Sequence, residues 1–202
     1  MASYSRDETS LTRGNGKLER FLAQLRAKKA NELIPDELRS GRILDIGCGS
    51  NPYFLSHTYF SEKFAIDQLE NDHCPVDIDW HVLNLHNNYH LKFDDDYFSA
   101  ITMLAVVEHL DPVVLSQLVG EIHRVLVPGG VFIMTTPAAW SDGILHTMAK
   151  IGLVSKEEID EHHYAYTLPL LGWYMGKAGF DMNKLEFGYF EFGLNLWAKG
   201  IK

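Results

Sequence analysis

Apolar and polar residues along this chain alternate with two periods, one helical and one of strands. Between residues 17 and 33, Leu18, Phe21, Leu22, Leu25 and Leu33 recur at helical spacing with polar residues between them. That spacing predicts an amphipathic helix, ended by Pro35. The run 42–46 is short and apolar, as suits a strand covered on both faces. Further strands are predicted at 64–67, 80–83, 98–104 and 131–135, the last entered through the turn Pro128-Gly129-Gly130. Asp111 and Pro112 read as the N-cap and first-turn residues of a helix over 112–126. A third helix is predicted at 168–178, closed by Gly179. Two β-rich segments near 184–190 and 194–199 look like a closing antiparallel hairpin. Strand and helix alternate through the first two thirds, which implies an α/β fold with a mostly parallel sheet.

Length and composition narrow the possibilities. With 202 residues, 46% hydrophobic and 22% charged, the chain suits one soluble domain with a sizeable core. Residues 1–16, rich in Ser, Thr, Gly and charge, are expected to be flexible, and 17–202 to form that single domain. A net charge of −9 argues against a nucleic-acid footprint, which needs clustered Lys and Arg. The basic residues Arg20, Arg26, Lys28 and Lys29 are interleaved with Phe21, Leu22 and Leu25, and read as the solvated face of the first helix. No signal-peptide core or membrane-length apolar run is present, so the expected compartment is the cytoplasm. Two cysteines, Cys48 and Cys74, make neither a disulfide framework nor a zinc knuckle.

The candidate chemistry begins at Arg42-Ile43-Leu44-Asp45-Ile46-Gly47-Cys48-Gly49. Here a buried strand carries an acid near its carboxyl end and opens onto two glycines. Open α/β sheets bind ligands at such ends, and glycines let a ligand approach the backbone closely. Asp45 suits a ligand with positive charge and would repel a dinucleotide pyrophosphate. A dinucleotide fingerprint would also need glycine where Pro52 stands. Asp67, 20 residues beyond Gly47, can accept hydrogen bonds from both hydroxyls of a ribose, a property shared with nicotinamide enzymes.

The octet resembles motif I of the class I S-adenosylmethionine-dependent methyltransferases, with Asn51 where the usual third glycine falls. Two further stretches resemble the same family in order: Phe93 through Ile101 leading into Glu108-His109, and His123 through Gly130. Ser99 replaces the family's usual Asp. The resemblance covers roughly residues 40–200 and is nearest to the type 11 small-molecule group. It implies a Rossmann-like, seven-stranded sheet, six strands parallel and one antiparallel, with helices on both faces. It also implies S-adenosylmethionine as cofactor and S-adenosylhomocysteine as product. Carried over by position, Asp45 takes the ammonium, Gly47 and Gly49 flank the amino-acid and ribose portion, and Asp67 holds the ribose. Asn84 and Leu85 lie near the adenine, and Leu104 contacts the methionine part. Asn84 stands where many relatives carry Asp.

For the acceptor side, Glu161-His162-His163-Tyr164-Ala165-Tyr166-Thr167 resembles a stretch that faces the substrate cavity in type 11 members. His162 and His109 are the candidate bases, since imidazole titrates near neutrality. Trp140, His163, Tyr164 and Tyr166 are the candidate substrate wall. The ten histidines show neither H-E-x-x-H nor a Cys/His quartet, and no metal is expected. The family's motif for amino groups of bases and glutamine is absent after the fourth strand, where Leu104-Ala105-Val106-Val107 stands. Oxygen methylation of a small acceptor such as a saccharide, phenol or lipid-linked intermediate is the expected activity. A nicotinamide-dependent oxidoreductase and a non-catalytic S-adenosylmethionine-binding scaffold are the alternatives.

Overall fold

Seven strands form one sheet: β1 (Arg42–Ile46), β2 (Glu62–Asp67), β3 (Ile78–Val82), β4 (Phe98–Leu104), β5 (Leu126–Pro137), β6 (Glu186–Phe190) and β7 (Asn195–Ile201). Their order in the sheet is β3-β2-β1-β4-β5-β7-β6. Strands β1 to β5 pair in parallel, while β7 runs antiparallel to both β5 and β6. Six strands therefore share one direction, and only β7 is reversed. This computed structural model describes residues 18–86, 88–150, 152–154 and 164–202. The N-terminal segment expected to be flexible lies outside them.

The pleat sorts side chains into two layers, because successive residues of a strand point to opposite faces. Leu44, Ile46, Ile101, Met103, Phe132 and Met134 join one cluster, which includes Leu118 and Ile122 of α3 (Pro112–Val125) and Leu171 and Met175 of α5 (Leu168–Ala178). Their neighbours Ile43, Ala65, Ala100, Val131 and Ile133 face the other way. These pack with Ala27 and Ala30 of α1 (Glu19–Leu33) and with Phe54 and Leu55 of α2 (Tyr53–Ser56). Each fully buried aliphatic side chain contributes about 1.5–3 kcal/mol. The helices thus cover both faces of the sheet. A further helix, α4 (Asp142–Lys150), follows β5 and packs Leu145 and Ala149 with Val154.

The punctuation of the helices follows the residue chemistry. Asp111 accepts a hydrogen bond from the Val113 amide at 2.8 Å, and Pro112 fills the first turn of α3. Gly179 ends α5 in the left-handed region at φ 106°. One boundary differs from expectation. Leu126 already pairs with Phe98, and a register shift follows before Ala100 pairs with Val131. The turn Pro128-Gly129-Gly130 therefore lies inside β5 as an irregularity rather than before it. Gly129, at φ 81°, donates its amide to the Lys202 carbonyl at 2.8 Å.

Two details place the site. Strand β1 lies between β2 and β4, so the connections leaving it and returning to it diverge, and a crevice opens at the carboxyl ends. Ser99 Oγ lies 2.9 Å from the carbonyl oxygens of both Leu38 and Arg42, tying the start of β4 to the entrance of β1.

Candidate functional site

A cavity of about 270 Å³ opens at that crevice. Its inner wall is the Gly47–Asn51 loop, which hangs from β2: the Gly47 amide donates to the Ile66 carbonyl at 2.7 Å. Gly47 and Gly49 have φ of 74° and 72°, which glycine adopts freely and other residues do not. They differ in surroundings. A Cβ at Gly47 would lie 2.4 Å from Val106 Cγ2, whereas one at Gly49 would meet nothing within 4 Å.

Asp45 and Thr102 are register partners across β1 and β4, so both face the same side of the sheet. Thr102 Oγ1 donates to Asp45 Oδ1 at 2.7 Å. Burial pushes the Asp45 carboxyl up to about 7, against the pull of the Thr102 hydrogen bond, and the nearby Asp67 charge adds to the rise. A cation entering the cavity would reverse that cost. Asp67, at the end of β2, accepts from the Gly49 amide at 2.9 Å and from the Leu69 amide at 3.1 Å. These bonds lock the carboxylate in place. Cys48 lies between the two acids; burial and both charges raise its thiol, which stays protonated.

Across the cavity, the turn after β4 forms the opposite wall. Ala105 is left-handed at φ 56°, unusual for a residue with a Cβ, and its amide is held by the Thr135 carbonyl at 3.0 Å and hydroxyl at 3.1 Å. Glu108 is buried and accepts from Thr136 Oγ1 at 2.9 Å. His109 lines the cavity beside it. The outer end is lined by Leu22 and Arg26 of α1, Leu145 of α4, Val154, Pro137 and Asn195.

The structure brings Asp45, Gly47, Gly49, Asp67, Leu85, Leu104 and His109 together around this one space. Asn84 is not in its wall. It is exposed, and its side chain accepts from the His86 amide at 3.0 Å, so Leu83, Leu85 and His86 flank the cavity there instead. Trp140 is 56% exposed and lies near Gly193, outside the lining. Tyr164 is also outside, its hydroxyl donating to Asp111 Oδ2 at 3.2 Å. Tyr166 is buried in the core against Tyr174, where its hydroxyl finds a partner in the Leu110 carbonyl at 3.5 Å and so needs none from the cavity. His162 and His163 lie outside the described residues.

Arg26, Glu108 and Asn195 are wall residues that the sequence pattern does not mark as contributors. Arg26 is half-buried, not part of a solvated face as its basic neighbours suggest. The available signal was its position among the apolar residues Leu22, Ala23 and Leu25.

A methyltransferase-domain family matches residues 16–185. No curated protein matches the chain. Among solved structures, the chain resembles an S-adenosylmethionine-dependent methyltransferase of Archaeoglobus fulgidus, with a TM-score of 0.67 and 15% identity over 91% of this chain and 94% of that one. A counterpart from Mesorhizobium loti gives 0.62 and 16%, covering 93% and 99%. A structure of the Haloferax volcanii Trm112 methyltransferase activator in complex with its partner gives 0.66 and 17%, covering 91% of each chain.

Proposed function

The chain belongs to the methyltransferase-domain family, and from that premise we propose that it is an S-adenosylmethionine-dependent methyltransferase, with S-adenosylhomocysteine as product, whose acceptor is a small molecule methylated on oxygen. The observation that carries this is the apolar lining at the outer end of the cavity, where Leu22, Leu145 and Val154 border a space suited to a compact, partly apolar molecule. The turn after β4, Leu104-Ala105-Val106-Val107, offers no side-chain amide to hold an amino group, which supports oxygen as the target.

The residues present fit the donor. Its sulfonium supplies an electrophilic methyl when bound. Asp45 would receive the ammonium, and the buried acid gains a counter-charge in doing so. Asp67 would hold the ribose hydroxyls from a carboxylate already fixed by two backbone amides. Gly47 and Gly49 allow the backbone to approach the ligand, and Leu83 and Leu85 offer apolar surface to the adenine. Leu104 would border the methionine portion.

Alignment and exclusion of water supply most of the rate in such a transfer. Where the acceptor hydroxyl must lose its proton, His109 is the base within the described wall, and His162 is a second candidate from the segment before α5. Calorimetry with S-adenosylmethionine and S-adenosylhomocysteine, followed by transfer of labelled methyl to a panel of hydroxylated and amino compounds, tests this. Labelled ethers or esters are the expected products. His109→Ala should slow transfer by roughly 10²–10⁴-fold with S-adenosylhomocysteine affinity retained. A near-normal rate would shift the base to His162 or leave transfer to alignment alone, and methylamine products would overturn the oxygen assignment.

A further inference from the structure

Four arginines among the described residues are half-buried: Arg26, Arg39, Arg42 and Arg124. Three of them are engaged. Arg39 donates to Asp36, Asn31 and Thr58, Arg42 to Glu62, and Arg124 to Glu121 and Asp95. Arg26 is the exception, for among the described residues its guanidinium has neither a hydrogen-bond partner nor an ion pair. It is also the one lysine or arginine among the described residues of the cavity wall. A guanidinium carries five N–H donors and keeps its proton. Half-buried without acceptors, it loses hydration and gains nothing back from the fold, so a ligand in the cavity has something to complete.

Its position is set by α1. Leu22 and Arg26 stand four residues apart, one helical turn, and reach the cavity from one face of the helix. Leu22 packs with Leu145, Ala149 and Val154, which lays this face over the outer end. Ala27 and Ala30, on the adjoining face, are buried against the sheet and anchor the helix there. Two electrostatic effects place the charge itself. Arg26 draws down the carboxyl of Glu191, which accepts from the wall residue Asn195 at the start of β7. Asp45 responds to its burial, to Thr102 and to Asp67, and Arg26 is not among the groups that shift it. The guanidinium therefore stands on the β5–β7 side of the crevice, away from the acids assigned to the donor.

We propose that Arg26 is an acceptor-recognition residue that receives an oxyanion of the methyl acceptor, so that the acceptor is a hydroxylated molecule bearing a carboxylate or a phosphate. The inference rests on the cavity being the methyl-transfer site and deepens it. The planar fork of a guanidinium matches two oxygens of such a group and holds it in one orientation. The apolar body of the acceptor lies against Leu22, Leu145 and Val154. Asp45, Asp67 and Glu108 share the same wall, so an anion is attracted only at the Arg26 end, and this fixes which way round the acceptor enters.

The test uses the full chain saturated with S-adenosylhomocysteine. The probes are 3-hydroxybenzoate against neutral 3-hydroxybenzamide for a carboxylate, and phenyl phosphate against phenol for a phosphate. Binding is read by calorimetry or ligand-observed NMR at low salt. At least one anion should bind about 10-fold more tightly than its neutral counterpart, and the pair that shows this identifies the group. Arg26→Gln and Arg26→Ala should each abolish the preference. S-adenosylhomocysteine affinity should stay within roughly 2-fold in both variants. Equal binding of anions and neutral compounds, no binding of any probe, or a preference that survives both substitutions would each overturn the proposal. So would a loss of S-adenosylhomocysteine affinity of about 10-fold or more, which would give Arg26 to the carboxylate of the donor instead. The wild-type comparison decides even where a variant does not fold. Failure of S-adenosylhomocysteine to bind the wild-type chain would instead overturn the assignment of the cavity.

Discussion

At the inner end of the cavity, the proposed donor contacts come from residues a few positions from a strand terminus: Asp45 near the end of β1, Gly47 and Gly49 just after it, and Asp67 at the end of β2. At the outer end, Arg26, Glu108 and Asn195 arrive from α1, from the turn after β4 and from the start of β7. The inner end is held largely by backbone. Gly47 hangs on the Ile66 carbonyl, and Asp67 is gripped by two amides. The outer end is held by side chains, with Asn195 on Glu191 and Glu108 on Thr136. A site of this kind can keep one ligand constant and change the other, because side-chain contacts are altered by single substitutions whereas a strand-terminal loop is not.

Four sets of measurements would break or sharpen that contrast. The largest effect is expected at Gly47. Gly47→Val puts a β-branched side chain at φ 74° and against Val106, and should reduce S-adenosylhomocysteine affinity by more than about 100-fold. Gly49→Ala, with open space around its Cβ, should cost only the left-handed backbone penalty of about 1–2 kcal/mol. Calorimetry on both would show whether the loop is constrained by crowding or by conformation alone. Similar losses at the two positions would remove the distinction.

Next, Asp67→Ala should cost on the order of 1–3 kcal/mol of binding, through lost ribose hydrogen bonds and a loosened Gly49 amide. Unchanged affinity would mean that the ribose is held elsewhere.

The third effect is a titration. Asp45 and Glu191 both have carboxyls raised to about 7 by burial. In the unfolded chain they ionise near their ordinary values, so the folded, ligand-free protein binds more protons between pH about 4 and 7, and its stability falls as pH rises through that window. Ligand affinity runs the other way, since the ammonium needs Asp45 ionised. It should rise up to about 10-fold per pH unit toward a plateau above pH 7. Asp45→Asn should flatten that dependence. A profile that survives the substitution would assign it to another group.

The smallest effects are expected at the outer aromatics. Trp140→Ala and Tyr164→Phe, both outside the cavity lining, should change S-adenosylhomocysteine affinity by less than about 0.5 kcal/mol. A larger loss would mean that the rim reaches the donor.

The same contrast decides what was legible in the amino-acid sequence. β1, β4, the Asp111-Pro112 cap and the Gly179 stop are local patterns, and the structure has them where the spacing places them. The strand after α3 begins earlier because Leu126 finds a partner in Phe98 across the sheet, which no local pattern records. Helix α4 and the half-buried Arg26 were missed for a related reason: their burial depends on α1 and α4 meeting over the cavity. Tyr166 shows the converse. An aromatic residue next to histidines has the same sequence appearance in a wall as in a core, and the packing of α5 decides for the core. Asn195 enters the cavity wall only once β7 pairs with β5 and β6.

The contact between Val106 and Gly47 joins the two ends. Val106 occupies the space beside Gly47 and leads directly into the turn that bears Glu108 and His109. Displacing the glycine loop therefore moves the wall that meets the second ligand. In thermodynamic terms, any change that one ligand makes in the other's affinity through this contact must be returned in equal measure. Order of addition is then a measurable property of the fold. Trimming Val106 to Ala removes the linkage without touching either set of polar contacts.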